Sequence, residues 1–179
     1  FKIGPRINAS GRMQSGKEAV DLLVSRDMSD ALERAIEIDR HNQERKELDK
    51  QITEEATALL DARADDLASR KSIVIYNKDW HKGIIGIVAS RIVEEFYRPT
   101  IILCDDNNMM KGSGRSIREF DLYAGLQKTA HVLAGFGGHK LAAGVRLEPN
   151  QLERFREAFE QVVADELGGQ PLTPALLLE

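Results

Sequence analysis

Three stretches of the chain carry side chains suited to holding a phosphate. The densest is Gly135-Phe136-Gly137-Gly138-His139-Lys140-Leu141-Ala142-Ala143-Gly144, four glycines and two alanines around one histidine. Each glycine gives up more backbone freedom on ordering than any other residue, so the run reads as neither a helix nor a strand interior. Glycine at this density serves positive φ or close backbone approach, often to a phosphate held by bare N–H groups. The competing reading is a tight turn feeding a strand, with His139 a hydrogen-bonded wall residue.

The second stretch is Lys111-Gly112-Ser113-Gly114-Arg115-Ser116. Glycines in a strand mark bulges or places where another backbone or a ligand comes close. Here they flank two hydroxyls and a guanidinium, a mix that favours phosphate over carboxylate metal chemistry. The third is FKIGPRINASGRMQSG, residues 1–16, with three glycines, a proline, Asn8 and two serines. It reads as an ordered loop. Arg6, Asn8, Ser10 and Arg12 alternate with Ile7, Ala9 and Gly11, so an extended loop would put the polar four on one side. Two guanidiniums there suit bidentate capture of phosphate oxygens. The plainer reading is that these arginines are solvated or paired with carboxylates.

The elements that must position these stretches follow from hydrophobic period and punctuation. Lys17 to Lys82 contains no Gly or Pro. A short amphipathic helix is expected over 17–26, with Ala19, Val20, Leu22, Leu23 and Val24 on its apolar side. Asp30 with Glu33 resembles a capping box that starts a second helix running to about Ser69. Some 40 residues of helix would span roughly 60 Å, more than a domain of this size is wide. Asp39 through Glu47 has no aliphatic residue, while apolar positions recur before and after it. Such a helix reads as a bridge between two packed bodies.

Ser72-Ile73-Val74-Ile75-Tyr76 is a β-branched run expected as a buried strand. Asn77 to Lys82 is a polar loop, and Gly83 opens a helical pattern that reaches Phe96. Strand, loop, glycine and helix present free N–H groups and a positive dipole end to an anion, with His81 at the entry as a cap, wall or phosphate contact. After Pro99 a second strand, 100–104, completes a βαβ unit. The turn at Asp105 and Asp106 reads as solvated loop more readily than as a metal site. A third strand is expected over 109–117, a helix capped by Asp121 over 121–130, a strand over 142–148, and an amphipathic helix from Pro149 with Leu152, Phe155, Phe159, Val162 and Val163 on one face. Trp80 and Tyr76 are too few for a base-stacking platform, so Trp80 reads as packing. The fold class is α/β, a mixed sheet flanked by helices and preceded by a long linker helix. The expected division is 1–70 for the opening loop and helices, 71–167 for the α/β domain, and 168–179 for a tail.

The chain has 179 residues, 42% hydrophobic and 30% charged, which is ordinary for a globular protein. No apolar run approaches the roughly 18 residues of a membrane span. The opening residues show neither an initiating methionine nor a signal peptide, so a fragment of a longer protein is expected. The single cysteine, Cys104, fits a reducing, cytoplasmic setting. The net charge is -4, but residues 30–70 hold twelve acidic and seven basic side chains, leaving the rest slightly positive. Net charge therefore does not exclude a nucleic-acid partner.

GPRINASGRM at 4–13, KGSGRS at 111–116 and GFGGHKLAAG at 135–144 together resemble the C-terminal half of RecJ-like exonucleases, the single-strand-specific 5′-to-3′ nucleases of the DHH phosphoesterase superfamily. DWHKGIIGIVASRI at 79–92 is similar to that family as well. The resemblance implies a long helix joining two domains, a cleft for single-stranded DNA, and work in DNA repair and recombination. It places Arg6, Asn8, Arg12, Ser113, Arg115, Ser116, Gly137, Gly138 and His139 in that cleft. Gly112, Gly114 and His81 are expected beside them, and His139 is the candidate catalytic residue.

The family's Mn²⁺ or Mg²⁺ ions are held by an aspartate-rich motif and by the Asp-His-His motif, and neither occurs in this sequence. A hard divalent ion in a nuclease needs several convergent carboxylates and imidazoles. The metal-binding DHH domain is thus expected as a missing N-terminal partner, the chain alone is expected to hold no metal and to be inactive, and no membrane partner is expected. Two other readings stay open: a DHH phosphoesterase acting on short oligoribonucleotides or nucleotides, and a non-catalytic nucleic-acid-binding module.

Overall fold

The computed structural model describes residues 3–168 and Leu172, and the apolar tail beyond lies outside the described residues. Residues 1–51 and 52–179 cluster as two compact units.

The first unit is helical: α1 (Gly4–Met13), α2 (Gly16–Val24) and the first part of α3 (Met28–Asp61). The expected opening loop is therefore wrong, because Pro5 sits in the first turn of a helix, where its fixed φ and missing N–H cost nothing. Ser15 caps α2 by accepting the Lys17 N–H at 3.3 Å. The cap of α3 is Asp27, whose carboxylate accepts the Asp30 N–H at 3.0 Å, not Asp30 as the capping-box spacing predicted. Asp30 instead takes the Arg34 guanidinium at 2.9 Å and the Ser25 hydroxyl at 2.7 Å. At 34 residues α3 spans about 51 Å. It breaks at Ala62 and Arg63 before α4 (Ala64–Ser69), so one continuous helix to Ser69 is also corrected.

The second unit is built on five strands: β1 (Ile73–Tyr76), β2 (Thr100–Asp106), β3 (Met109–Arg115), β4 (Gly135–His139) and β5 (Ala142–Leu147). Their spatial order is β1-β2-β3-β5-β4. Only β1 and β2 are parallel, joined by the crossover helix α5 (Ile85–Phe96); the other pairs are antiparallel. Tyr97 closes α5 in the left-handed region, φ 48°, and Pro99 prevents its continuation. The glycine run forms β4 and the hairpin into β5, so the expectation that it is too glycine-dense for a strand interior is overturned, and the competing reading of a turn feeding a strand holds for the passage into β5. Edge position explains it: among the described residues β4 pairs on one side, with β5.

The two faces of the sheet are covered differently. Ile101, Leu103, Met110, Val145 and Leu147 pack against α6 (Leu122–Lys128) and α7 (Leu152–Leu167), with Phe120, Phe155 and Phe159 fully buried. Phe159 stacks on Phe155 at 5.7 Å and meets Phe120 edge-on at 6.0 Å. Ile73, Ile75 and Ile102 point the other way, to the face bearing α5, whose Ile85, Val88, Ala89 and Ile92 are buried. Glu160 on α7 ties the entry of β1 by accepting from the Lys71 and Ser72 N–H groups at 2.7 and 2.9 Å. Trp80 is buried with its indole N–H donated to Glu55 at 2.8 Å, a packing role as expected.

Candidate phosphate-binding face

Strand register decides which residues share a surface. Along β3, Lys111, Ser113 and Arg115 alternate with buried Met110, Gly112 and Gly114. In the antiparallel ladders Arg115 lies opposite Ala142, which lies opposite His139; Ser113 lies opposite Gly144, and that opposite Gly137; Lys111 lies opposite Arg146, and that opposite Gly135. Three rows therefore cross β3, β5 and β4 on one face, the α5 face; α5 itself packs on β2 and β3, so the β5 and β4 part of these rows lies beyond it. With strands about 4.8 Å apart, the backbones of Arg115 and His139 stand about 10 Å from each other. Nearly the whole area between them is Ser, Ala or Gly.

At one margin of this area stands the first turn of α5. A Cβ placed on Gly86 would lie 2.9 Å from Ser113 Oγ and 3.2 Å from Arg115 Nη2, so glycine is what lets the helix start lie against those groups. Arg115 Nη1 donates to Ser113 Oγ at 3.2 Å and to the Gly114 carbonyl at 2.7 Å, which holds the guanidinium along its own strand. A hydroxyl and a guanidinium from β3 thus meet the start of α5, a chemistry fitted to an anion. His81 faces inward to the turn that begins α5: its Nδ1 accepts the Gly83 N–H at 3.1 Å, so the neutral ring keeps its proton on Nε2.

His139 is exposed at the end of β4. Gly135 and Gly137 have open space where a side chain would stand, and Gly137 leaves the centre of the face bare. Gly138 differs, with φ +150° and a hypothetical Cβ only 2.4 Å from the Ala142 carbonyl oxygen, so the hairpin itself requires glycine there.

The remaining expected site residues fall elsewhere. Gly112 and Gly114 point to the α6 and α7 side, where a Cβ would meet Val145 at 2.5 Å and Ile101 at 2.6 Å respectively. They are glycine because the core leaves no room. Ser116 donates its hydroxyl to the Phe120 carbonyl at 2.9 Å and its N–H to the Leu141 carbonyl at 3.0 Å, fixing the loop after β3 to the β4–β5 turn. In the helical unit the α-helical period breaks the expected alignment. Arg6 and buried Ser10 fall on one side of α1, exposed Asn8 and Arg12 on another. Arg6 Nε donates to Asp39 at 2.6 Å, while Ser10 Oγ donates to the Ser15 carbonyl at 2.9 Å.

The sheet also brings to this face Lys111 and Arg146, which sequence reading did not single out. The period-2 alternation around Ser113 and Arg115 would have found Lys111. Arg146 is visible only through strand pairing. Nearby, Lys82 Nζ lies 2.7 Å from Asp106, and that hydrogen bond, reinforced by the charges of Lys111 and Arg146, holds the Asp106 carboxyl below the usual carboxylate range. Cys104 ends the same row but is buried, and burial pushes its thiol up to about 11, which keeps it an unreactive packing group.

Among the described residues no three His, Cys, Asp or Glu side chains come together as a metal-binding group. The donors on this face do not fit a hard divalent cation, so no step through a metal is assigned to them. A cavity of about 130 Å³ lies at the other edge of the sheet beside β1, where Arg70 and Arg156 are already paired with Asp66 and Glu153.

Comparison with known proteins gives a consistent picture. Residues 69–165 match the family described as the DHHA1 domain. The chain is 36% identical over 176 residues to the single-stranded-DNA-specific exonuclease RecJ of Bacillus subtilis, covering 97% of this chain and 22% of that protein. It is 36% identical to RecJ of Escherichia coli, covering 92% of this chain and 30% of that protein. Among solved structures, RecJ of Thermus thermophilus with Mn²⁺ superposes with a TM-score of 0.81 at 32% identity, over 92% of this chain and 24% of that one. A manganese-bound exonuclease RecJ superposes equally well, TM-score 0.81 at 30% identity, over 96% of this chain and 43% of that one. The chain thus spans between a fifth and a third of the length of the curated relatives it matches. With the family match covering more than half of its residues, and the five-stranded α/β unit coinciding with that match, the chain belongs to the DHHA1 domain family.

Proposed function

We propose that this chain is the strand-holding half of a RecJ-like 5′-to-3′ single-strand-specific DNA exonuclease, acting in the cytoplasm in DNA repair and recombination. The observation that carries the reading is the register that sets Ser113, Arg115 and His139 on one open face of small residues. Its support is the similarity to proteins described as single-stranded-DNA-specific exonucleases. Residues 71–167 would be the working domain, 1–70 the connection and 168–179 a tail. The metal-binding DHH domain would lie elsewhere in the same polypeptide and supply Mn²⁺ or Mg²⁺.

In this reading Arg115 and Ser113 hydrogen-bond the non-bridging oxygens of a phosphate, and the first turn of α5 adds its N–H dipole. His139 donates a hydrogen bond to the phosphate undergoing hydrolysis or moves a proton there. Gly137 and Gly138 let the strand lie close to the sheet. Gly112 and Gly114 act from beneath, by seating β3 on its core, and Ser116 and His81 act by fixing the loops on either side. Arg6, Asn8 and Arg12 of the helical unit contribute phosphate contacts of their own.

The test is turnover. With Mn²⁺, this chain alone is expected to leave labelled single-stranded DNA intact, while the parent enzyme digests it. His139→Ala in the parent should lower turnover roughly 100-fold or more with thermal stability unchanged. Digestion by the chain alone, or undiminished turnover of the variant, would overturn the assignment. Equal turnover of short oligoribonucleotides and rejection of long DNA would move the enzyme to the small-substrate branch of the superfamily.

A further inference from the structure

The row formed by Lys111, Arg146 and Gly135 has no structural use that accounts for its charge. Lys111 and Arg146 face each other directly across the β3–β5 ladder, both exposed. Like charges at directly opposed positions of a sheet repel. Among the described residues neither side chain has a carboxylate within ion-pair distance, and neither makes a hydrogen bond through its side chain. Asp106 feels the charge of both, and it is already bonded to Lys82 at 2.7 Å. Three cations therefore surround one carboxylate, an excess of two positive charges on a row whose other members are Gly135 and the buried Cys104.

The position of this excess is as informative as its sign. Lys111 lies four residues from Arg115 along β3, about 13 Å in strand geometry. Between the two rows stand Ser113, Gly144 and Gly137; the start of α5 lies against Ser113, but nothing stands over Gly144 and Gly137, so the way from the Arg115 and His139 end of the face to the Lys111 end is open over β5 and β4. A flat strip with cations at both ends and small residues between complements an extended polyanion longer than one phosphate.

We propose that Lys111 and Arg146, backed by Lys82, form a second phosphate contact for a single-stranded polynucleotide, continuing the strip that begins at Ser113, Arg115 and His139. The proposal rests on the strand-holding reading given above and adds to it the direction of the strand across the sheet, from the Arg115 and His139 row over Gly144 and Gly137 toward Lys111 and Arg146. Lys111 and Arg146 bind backbone, not bases, so the contact is indifferent to sequence.

The test uses this chain and fluorescence anisotropy with labelled 5′-phosphorylated oligothymidylates of about two and about twelve nucleotides, spanning less and more than one such site. The double variant Lys111→Ala, Arg146→Ala removes two exposed side chains without hydrogen-bonded partners, so circular dichroism and melting should match the unaltered chain. Affinity for the long oligonucleotide should fall about tenfold, and the slope of log affinity against log salt should drop by about 1.4, the loss of two single-strand phosphate contacts. Affinity for the short one should not change. If the double variant binds the long strand with unaltered affinity and slope while Arg115→Ala still weakens it, this inference falls and the strand-holding reading stands. If neither set of substitutions matters, or the unaltered chain ignores single strands at low salt, both fall. Equal losses on short and long strands would reduce the pair to a general field and overturn the second contact.

Discussion

The two faces of the sheet draw on the same strands and are built to opposite rules. On the side of α6 and α7, β3 and β5 present Met110, Val145 and Leu147, and wherever β3 has a glycine the reason is crowding. On the side where Lys111, Ser113 and Arg115 point, Gly135 and Gly137 of β4 have nothing above them. Glycine is therefore used in two unrelated ways within about thirty residues: to let side chains pack underneath, and to keep a surface bare. Residue type alone does not tell these apart, whereas the strand face does.

Substitutions at glycine should separate the two uses. The largest effect is expected for Gly112→Val, because even a Cβ would meet Val145 at 2.5 Å and Leu103 at 2.7 Å in the centre of the sheet. Overpacking there should cost at least the upper end of about 1–3 kcal/mol in chemical denaturation. A smaller loss would mean that the core side is looser than its contacts imply. Gly138→Ala comes next. Its φ of +150° and its backbone neighbours oppose any side chain, but the residue lies at the end of an edge hairpin that can give way locally. A cost of about 1–3 kcal/mol is expected, with amide exchange accelerated in β4 and the start of β5 before the rest of the sheet. Protection that stays uniform would contradict local yielding. The smallest effect is expected for Gly137→Ala, which meets open space and should change stability by no more than about 0.5 kcal/mol. Its consequence should be read in binding instead: single-strand affinity should fall while the melting temperature holds. A stability loss as large as that of Gly112→Val would erase the distinction between the faces.

Much of the α/β unit was legible from local pattern. β1, α5 and β2 follow from a β-branched run, an apolar helical period and Pro99, and Asp121 does cap α6 by accepting the Ala124 N–H at 3.0 Å. The opening residues were misread because glycine and proline frequency outweighed position: Pro5 in a first turn starts a helix as readily as it breaks one. That error carried into the site, since an extended stretch aligns Arg6 with Arg12 and a helix does not. The glycine run was misread for a related reason. Glycine weakens a strand in isolation, and only pairing of β4 with β5 makes that strand worthwhile.

By itself the sequence determined the inventory: two glycine-bearing motifs with Ser113, Arg115 and His139, a glycine-free helical stretch, and strands long enough for a small α/β unit. Those are properties of residue type and near-neighbour spacing, which the chain carries wherever it folds. Tertiary structure decided which of these residues meet. Ser113 and Gly137 share a row only because β5 pairs with both β3 and β4. A shift of one residue in either ladder would turn Arg115 or His139 to the opposite side of the sheet. Register is a long-range agreement between turn geometry and two hydrophobic faces, and no window of sequence contains it.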